Sequence, residues 1–390
     1  MPTTPTSRCP FEHIQNPDLE AEQIAETTKL TVDLLDKRYP PPKQKLRGVH
    51  PKSHGCVKAT FTLNPDIPPE LQIGLFAESG KQFDAFIRFS NAAALVGPDT
   101  TETKIDPKTG KEVEVEEHGS RGMAIKVLDV GGEVLIDDNG AHNQDFLMIN
   151  QPMFAFANTE DYLRLDRILL EDNDVADQFF LPVFIPVPGV TEEQKQRIAK
   201  SLNIVKADIQ KTDVGNPLEI QYFSAAPFLF GPDKVMKFSA KPCPEVPPVQ
   251  SPPRPRPENY LRDALTETMS GNEDLHFDFM LQVRREGDDF GKDNELIENA
   301  SSLWEDDFVK VAKITIPRPQ PEVDSEENRA HCEKLAFTPW HSLVEHKPIG
   351  SINRLRKSVY QASAAHRLEA PEEMPFLIRL LEKLFKSLFG

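Results

Sequence analysis

Asn353-Arg-Leu-Arg-Lys-Ser-Val-Tyr-Gln-Ala-Ser-Ala-Ala-His-Arg367 contains neither Pro nor Gly and reads as a helix. Arg356, Tyr360 and Arg367 are spaced by four and then seven residues. At about 3.6 residues per turn the three project from nearly one face. That face is unusually polar. A phenol titrates near pH ~10 in water, and a guanidinium one turn away favours its ionised form, more so with a metal cation at the oxygen. Tyrosinate is one of the few protein ligands for haem iron. On its own the stretch also suits an ordinary surface helix whose Tyr packs on its neighbours.

A second stretch lies far upstream: Arg47-Gly-Val-His50-Pro-Lys-Ser-His54-Gly55, leading into Cys56-Val-Lys-Ala-Thr-Phe-Thr-Leu63, where apolar and polar residues alternate as on a half-buried strand. Between the two come Arg88-Phe89-Ser90, then Arg121-Gly122-Met123-Ala124-Ile125-Lys126, then Phe146-Leu-Met-Ile-Asn150-Gln151-Pro152-Met153-Phe154.

Taken in this order, the segments resemble those of haem catalases. The distal segment of that superfamily is Arg-x-x-His followed by Lys and, five residues after the His, Gly. Its inner segments are Arg-Phe-Ser, Arg-Gly-Phe-Ala-Val-Lys and Asn-Thr-Pro-Val-Phe-Phe, and its proximal helix carries Arg-x-x-x-Tyr with an Arg seven residues on. The likeness runs from about Arg47 to Arg367 and is nearest to the compact branch, which includes small catalases, catalase-related peroxidases and allene oxide synthases. Two departures stand out. Gln361-Ala362-Ser363 replaces Pro-Asp-Thr of large catalases, and Gln151 replaces the Thr after the distal Asn.

The resemblance implies haem b bound through Tyr360, with Arg356 stabilising the phenolate. Arg47, Arg88 and Arg367 would bind the propionates through charge-assisted hydrogen bonds, a task suited to the planar guanidinium. His50 would carry a proton from one oxygen of a hydroperoxide to the other. Asn150 would orient the peroxide and Ser90 would fix the imidazole, while Val49, Phe89 and Phe154 would form pocket walls. His54 is the rival base, and its spacing assigns it to structure or to a channel. Val49 before His50 resembles true catalases, since the allene oxide synthases carry Thr there. The implied function is therefore hydroperoxide breakdown of the catalase or peroxidase type, with hydrogen peroxide as the leading substrate. Rearrangement or cleavage of a fatty-acid hydroperoxide is the alternative.

Strand patterns recur at Val57–Leu63, Phe83–Ser90, Ala124–Asp129, Glu133–Ile136, Asp145–Ile149, Glu219–Phe223, Phe277–Val283 and Phe308–Thr315. About eight strands with flanking helices predict an α+β fold, a closed antiparallel β-barrel with haem at its flank. Asp18 to Lys37 predicts a helix, within an arm spanning residues 1–46, that ends before Tyr39-Pro40-Pro41-Pro42. Thr101 to Glu117 predicts an exposed hairpin without chemistry, and Thr191 opens a helix with a capping-box pattern. Pro242 to Pro257 holds eight prolines and predicts an extended wrapping loop inside the haem domain of residues 47–370. Residues 371–390 hold an amphipathic stretch, Pro375 to Gly390, expected to meet another subunit or, as second choice, a membrane surface.

A formal charge of −17 argues against nucleic acid as a partner. No run approaches the length of a membrane span, and the N-terminus lacks the apolar core of a signal peptide, so the expected location is cytoplasmic. Cys9, Cys56, Cys243 and Cys332 are widely spaced, which predicts free thiols.

Overall fold

The computed structural model describes residues 11–368 except 13, 107–108, 139, 244–249 and 286–298. The amphipathic tail and Cys9 lie outside the described residues, as do residues 244–249 of the Pro-rich loop.

The strands are β1 (Ser53–Leu63), β2 (Gln82–Asn91), β3 (Thr100–Ile105), β4 (Glu112–His118), β5 (Arg121–Val127), β6 (Gln144–Ile149), β7 (Tyr222–Phe223), β8 (Phe228–Leu229), β9 (Lys234–Pro242), β10 (Leu275–Arg285) and β11 (Val309–Ile316). Their order is β10-β11-β1-β2-β5-β6-β7-β9, and β9 pairs back onto β10, so eight antiparallel strands close a barrel without an open edge. β8 folds back on β9 outside the ring, and β3 with β4 forms the separate hairpin predicted for residues 101–117.

Alternation along the strands sends the large apolar side chains inward. Phe61, Phe146, Phe238 and Phe279 fill the interior, with ring centroids 4.6 Å apart for Phe146 and Phe279 and 5.0 Å for Phe61 and Phe279. Truncating one such ring to Ala costs about 3–5 kcal/mol in a typical core.

The helices are α1 (Pro17–Arg38), α2 (Thr159–Glu171), α3 (Leu181–Phe184), α4 (Glu192–Asn203), α5 (Tyr260–Met269), α6 (Glu326–Lys334) and α7 (Ser351–Leu368). α1 starts where Asn16 accepts a hydrogen bond from the Leu19 amide at 3.1 Å and Pro17 supplies a preset φ. It packs on α2 and α7, with Arg38 paired to Asp174 at 2.6 Å. The Thr191 capping box is present at the start of α4.

Three sequence expectations need correction. Glu133–Ile136 is not a strand; only Val134 pairs, in an isolated bridge with Leu343. β9 went unpredicted because its burial runs almost unbroken from Val235 to Ala240, so it lacks the alternation that marks a strand. Cys56 and Cys332 are not free thiols. They form a disulfide across 276 residues of sequence, with Cα atoms 5.8 Å apart, because the fold brings α6 onto β1. Cys243 is buried.

Candidate functional site

The outer face of the barrel across β2, β5 and β6 forms one wall of a cavity of about 320 Å³. Strand register explains which side chains reach it. Arg88 pairs with Ala124 and Ser90 with Gly122, while Ala124 and Gly122 in turn pair with Leu147 and Ile149. All six line the cavity. Phe89, between Arg88 and Ser90, must point the other way. It is fully buried in the barrel core beside Tyr222, with centroids 6.2 Å apart, so it is not the pocket wall expected from the sequence. The opposite wall comes from α1, α2 and α7, through residues such as Thr31, Leu165 and Tyr360.

His50 hangs over the barrel wall. Its backbone adopts φ +58, a left-handed conformation rare for a non-glycine residue. The imidazole Nδ1 lies 3.0 Å from Ser90 Oγ, and the ring sits directly above Gly122. A Cβ at Gly122 would fall on His50 Nδ1 and Cε1 and 2.9 Å from Ser90 Oγ, so glycine is what allows the ring this close. Burial, followed by the Arg88, Arg356 and Arg47 charges, pushes the His50 pKa down to about 3, leaving the imidazole neutral.

α7 supplies the facing groups. Gly350 at φ +90 turns the chain into the helix, and Asn353 holds its first turn by donating to the Ile349 and Pro227 carbonyls at 3.0 and 2.9 Å. Asn353 Oδ1 also accepts from Arg356 at 3.1 Å, which aims the guanidinium. Arg356 in turn donates to Tyr360 Oη at 3.5 Å and lies over the rings of Tyr360 and Phe154, 5.2 and 5.6 Å from their centroids. Tyr360, Arg356 and Phe154 all face the cavity, with exposed Val49 at its rim.

At one end Arg47, Arg88 and Arg367 converge around a single carboxylate, Glu333. Arg47 pairs with Glu333, Arg88 reaches it at 3.5 Å, and Arg367 donates to the Glu333 carbonyl. Burial and then Arg47 lower the Arg88 pKa to about 9 and that of Arg367 to about 10, with Glu333 opposing. The Nε atoms of Arg88 and Arg367 are buried without hydrogen-bond partners. Three guanidinium groups against one carboxylate are an incomplete ion network, and such cations call for further anions. Two carboxylates of a flat apolar ligand would complete it. A phenol oxygen beside Arg356 and the apolar residues that line much of the cavity fit haem as that ligand.

Asn150 is placed differently from the expectation. Its Oδ1 accepts from the Arg121 amide at 2.7 Å and Ser120 Oγ at 3.2 Å, and it does not line the cavity, whereas Ile149 and Met148 do. Its Nδ2 is buried without a partner. His54 lies outside the cavity lining in a buried network, with Nε2 3.0 Å from Asn91 Oδ1.

Sequence reasoning missed four residues of the site. Glu333 and Gly122 act through contacts that no local pattern records. Tyr162 and Asp166 share a face of α2 at the i, i+4 spacing that could have exposed them. Burial pushes the Tyr162 phenol up, and it pushes the Asp166 carboxyl up to about 7 against the pull of Arg38.

A scan against protein-family models and a search of curated proteins find no match. Solved structures do match. A fungal catalase superposes with a TM-score of 0.61 at 14% identity, over 84% of this chain and 60% of that one. The fold is catalase-like. Catalase A from Saccharomyces cerevisiae gives 0.60 at 16% identity over 84% and 62%, and a bacterial catalase 0.58 at 13% over 94% and 63%. This catalase-like chain thus spans about three-fifths of the length of these neighbours.

Proposed function

We propose that the protein binds haem b through Tyr360 and decomposes hydroperoxides, with hydrogen peroxide as the leading substrate. The observation that carries this reading is the convergence, in one cavity, of a neutral His50, the Arg356–Tyr360 pair and three arginines gathered at one carboxylate, two of them with an unpartnered buried Nε. Bound there, haem supplies an iron centre able to take up the oxidising equivalents of a peroxide bond.

The chain does the rest. Arg356 donates to Tyr360 Oη and lies over its ring, so it would hold that oxygen in place as a ligand. Arg47, Arg88 and Arg367 would hold the propionates by charge-assisted hydrogen bonds. His50 Nδ1 is engaged by Ser90, so Nε2 is the nitrogen left to take a proton from the hydroperoxide and return it to the departing oxygen. A low pKa keeps that nitrogen free to accept. Asn150, expected by resemblance to orient the peroxide, does not line the cavity, so no contact with the peroxide is assigned to it.

A fatty-acid hydroperoxide is the second reading, favoured by the apolar outer wall of Leu34, Leu165, Leu169 and Val359. Turnover decides between them. An oxygen electrode follows hydrogen peroxide breakdown, and loss of conjugated-diene absorbance follows an unsaturated fatty-acid hydroperoxide. Fast oxygen release supports the first reading; negligible oxygen with fast diene loss replaces it with the second; neither activity in haem-loaded protein overturns both. No helix among the described residues is long and apolar enough to cross a membrane. A cytoplasmic location remains part of the proposal.

A further inference from the structure

The arginine cluster rests on the backbone of residues 332–335. Arg47 donates to the Cys332 and Leu335 carbonyls at 3.0 and 2.7 Å, and Arg367 donates to the Glu333 and Leu335 carbonyls. With the Glu333 carboxylate holding Arg47 and Arg88, this segment orders all three guanidinium groups. Its own support is thin. α6 has nine residues, too few to be stable as an isolated helix. Cys332 is its one buried residue, so little apolar packing holds it in place. Its attachments to the barrel include the Asn328 amide, which donates to the Cys56 carbonyl at 2.9 Å, Ser53 Oγ at 3.8 Å from Cys332 Sγ, the His331 ring 5.1 Å from that of Phe86, and the one covalent link, the Cys56–Cys332 disulfide. Cys56 is the register partner of Arg88 across β1 and β2. The covalent bond therefore pins the carbonyl row directly over the strand pair that carries one of the arginines.

We propose that Cys56 and Cys332 are positioning residues for the arginine cluster, forming a redox-controlled clasp that tightens the hold on the anionic groups of the bound cofactor when closed and loosens it when open. The proposal rests on the haem reading for the identity of that cofactor. Opening is a two-electron reduction: an external dithiol or phosphine gives up two electrons, the S–S bond breaks, and each sulfur takes a proton. Closing can use the hydroperoxide itself as oxidant. Two thiols lose two protons and two electrons in all to form the S–S bond, and the O–O bond breaks as it takes up those two electrons and two protons, giving two waters, or water and an alcohol. Thiols of a reducing compartment would hold the clasp open, and peroxide would close it.

The test compares full-length protein, oxidised and treated with a phosphine reductant, with Cys56→Ser/Cys332→Ser and with Cys243→Ser as control. Amide hydrogen exchange is read by peptide, and haem loss by transfer to apomyoglobin. Reduction should raise exchange at residues 326–335 and 47–50 while β5 and β6 stay protected. Haem loss should quicken about tenfold or more, the range seen when groups that orient a cofactor's ligands are removed. The double variant should match reduced protein, Cys243→Ser should not, and reoxidation should restore both readouts. Unchanged exchange at those segments, exchange raised across the whole barrel, or raised local exchange with unchanged haem loss would each overturn the clasp. If oxidised protein takes up no haem, the haem reading fails by itself, and the loss of the cofactor assignment overturns the proposal in its stated form, whatever exchange shows.

Discussion

Ser90 Oγ lies 3.0 Å from His50 Nδ1, two side chains delivered by separate segments onto the same patch of barrel wall above Gly122. The contact fixes the ring and selects Nε2 as the working nitrogen. His50→Ala should keep haem and slow peroxide turnover by at least the ~10²-fold typical of a lost acid–base group. Ser90→Ala should lower turnover by less. Stopped-flow absorbance on haem-loaded variants measures both. Damage from His54→Ala with His50→Ala harmless would show that the distal assignment is wrong.

Gly122→Ala places a methyl where the His50 ring sits. The imidazole must then leave Ser90, so turnover should fall towards the His50→Ala level while haem occupancy stays high. Occupancy is read from the Soret band. Wild-type turnover in Gly122→Ala would mean that the ring position does not matter for the chemistry.

Tyr360→Phe removes the oxygen beside Arg356. Haem should bind weakly or with an altered ferric spectrum. Retention of an unchanged high-spin spectrum would be incompatible with ligation by Tyr360.

Asp166 provides a pH test. Its pKa is about 7 in the folded protein against 3.8 for the free side chain, and burial is the main cause. A raised folded-state pKa contributes stability that is complete below pH ~4 and is lost as pH rises through about 7. Asp166→Asn should therefore gain Tm relative to wild type as pH goes from 5 to 8, with the gap levelling off above that. Using the difference between the two proteins cancels His50, His54 and His346, whose pKa values are depressed by burial and whose contributions run the other way. A gap that does not change with pH would place the Asp166 carboxyl in water.

Much of the protein is legible in local order. Alternation at Val57–Leu63 and Phe83–Ser90 marks strands because a pleated backbone turns successive side chains to opposite faces. The Arg356 and Tyr360 spacing marks one face of a helix for the corresponding reason. The same rule, applied within Arg88-Phe89-Ser90, turns Phe89 away from the cavity, although only the barrel shows which face is inside. What the tertiary structure alone decided are contacts between residues distant in the chain: the Cys56–Cys332 disulfide, Glu333 amid three arginines, and Gly122 beneath His50. Local periodicity reports the direction of a side chain and carries no record of its partner. Partners are set when strand pairing closes the barrel and the helices bury their faces against it.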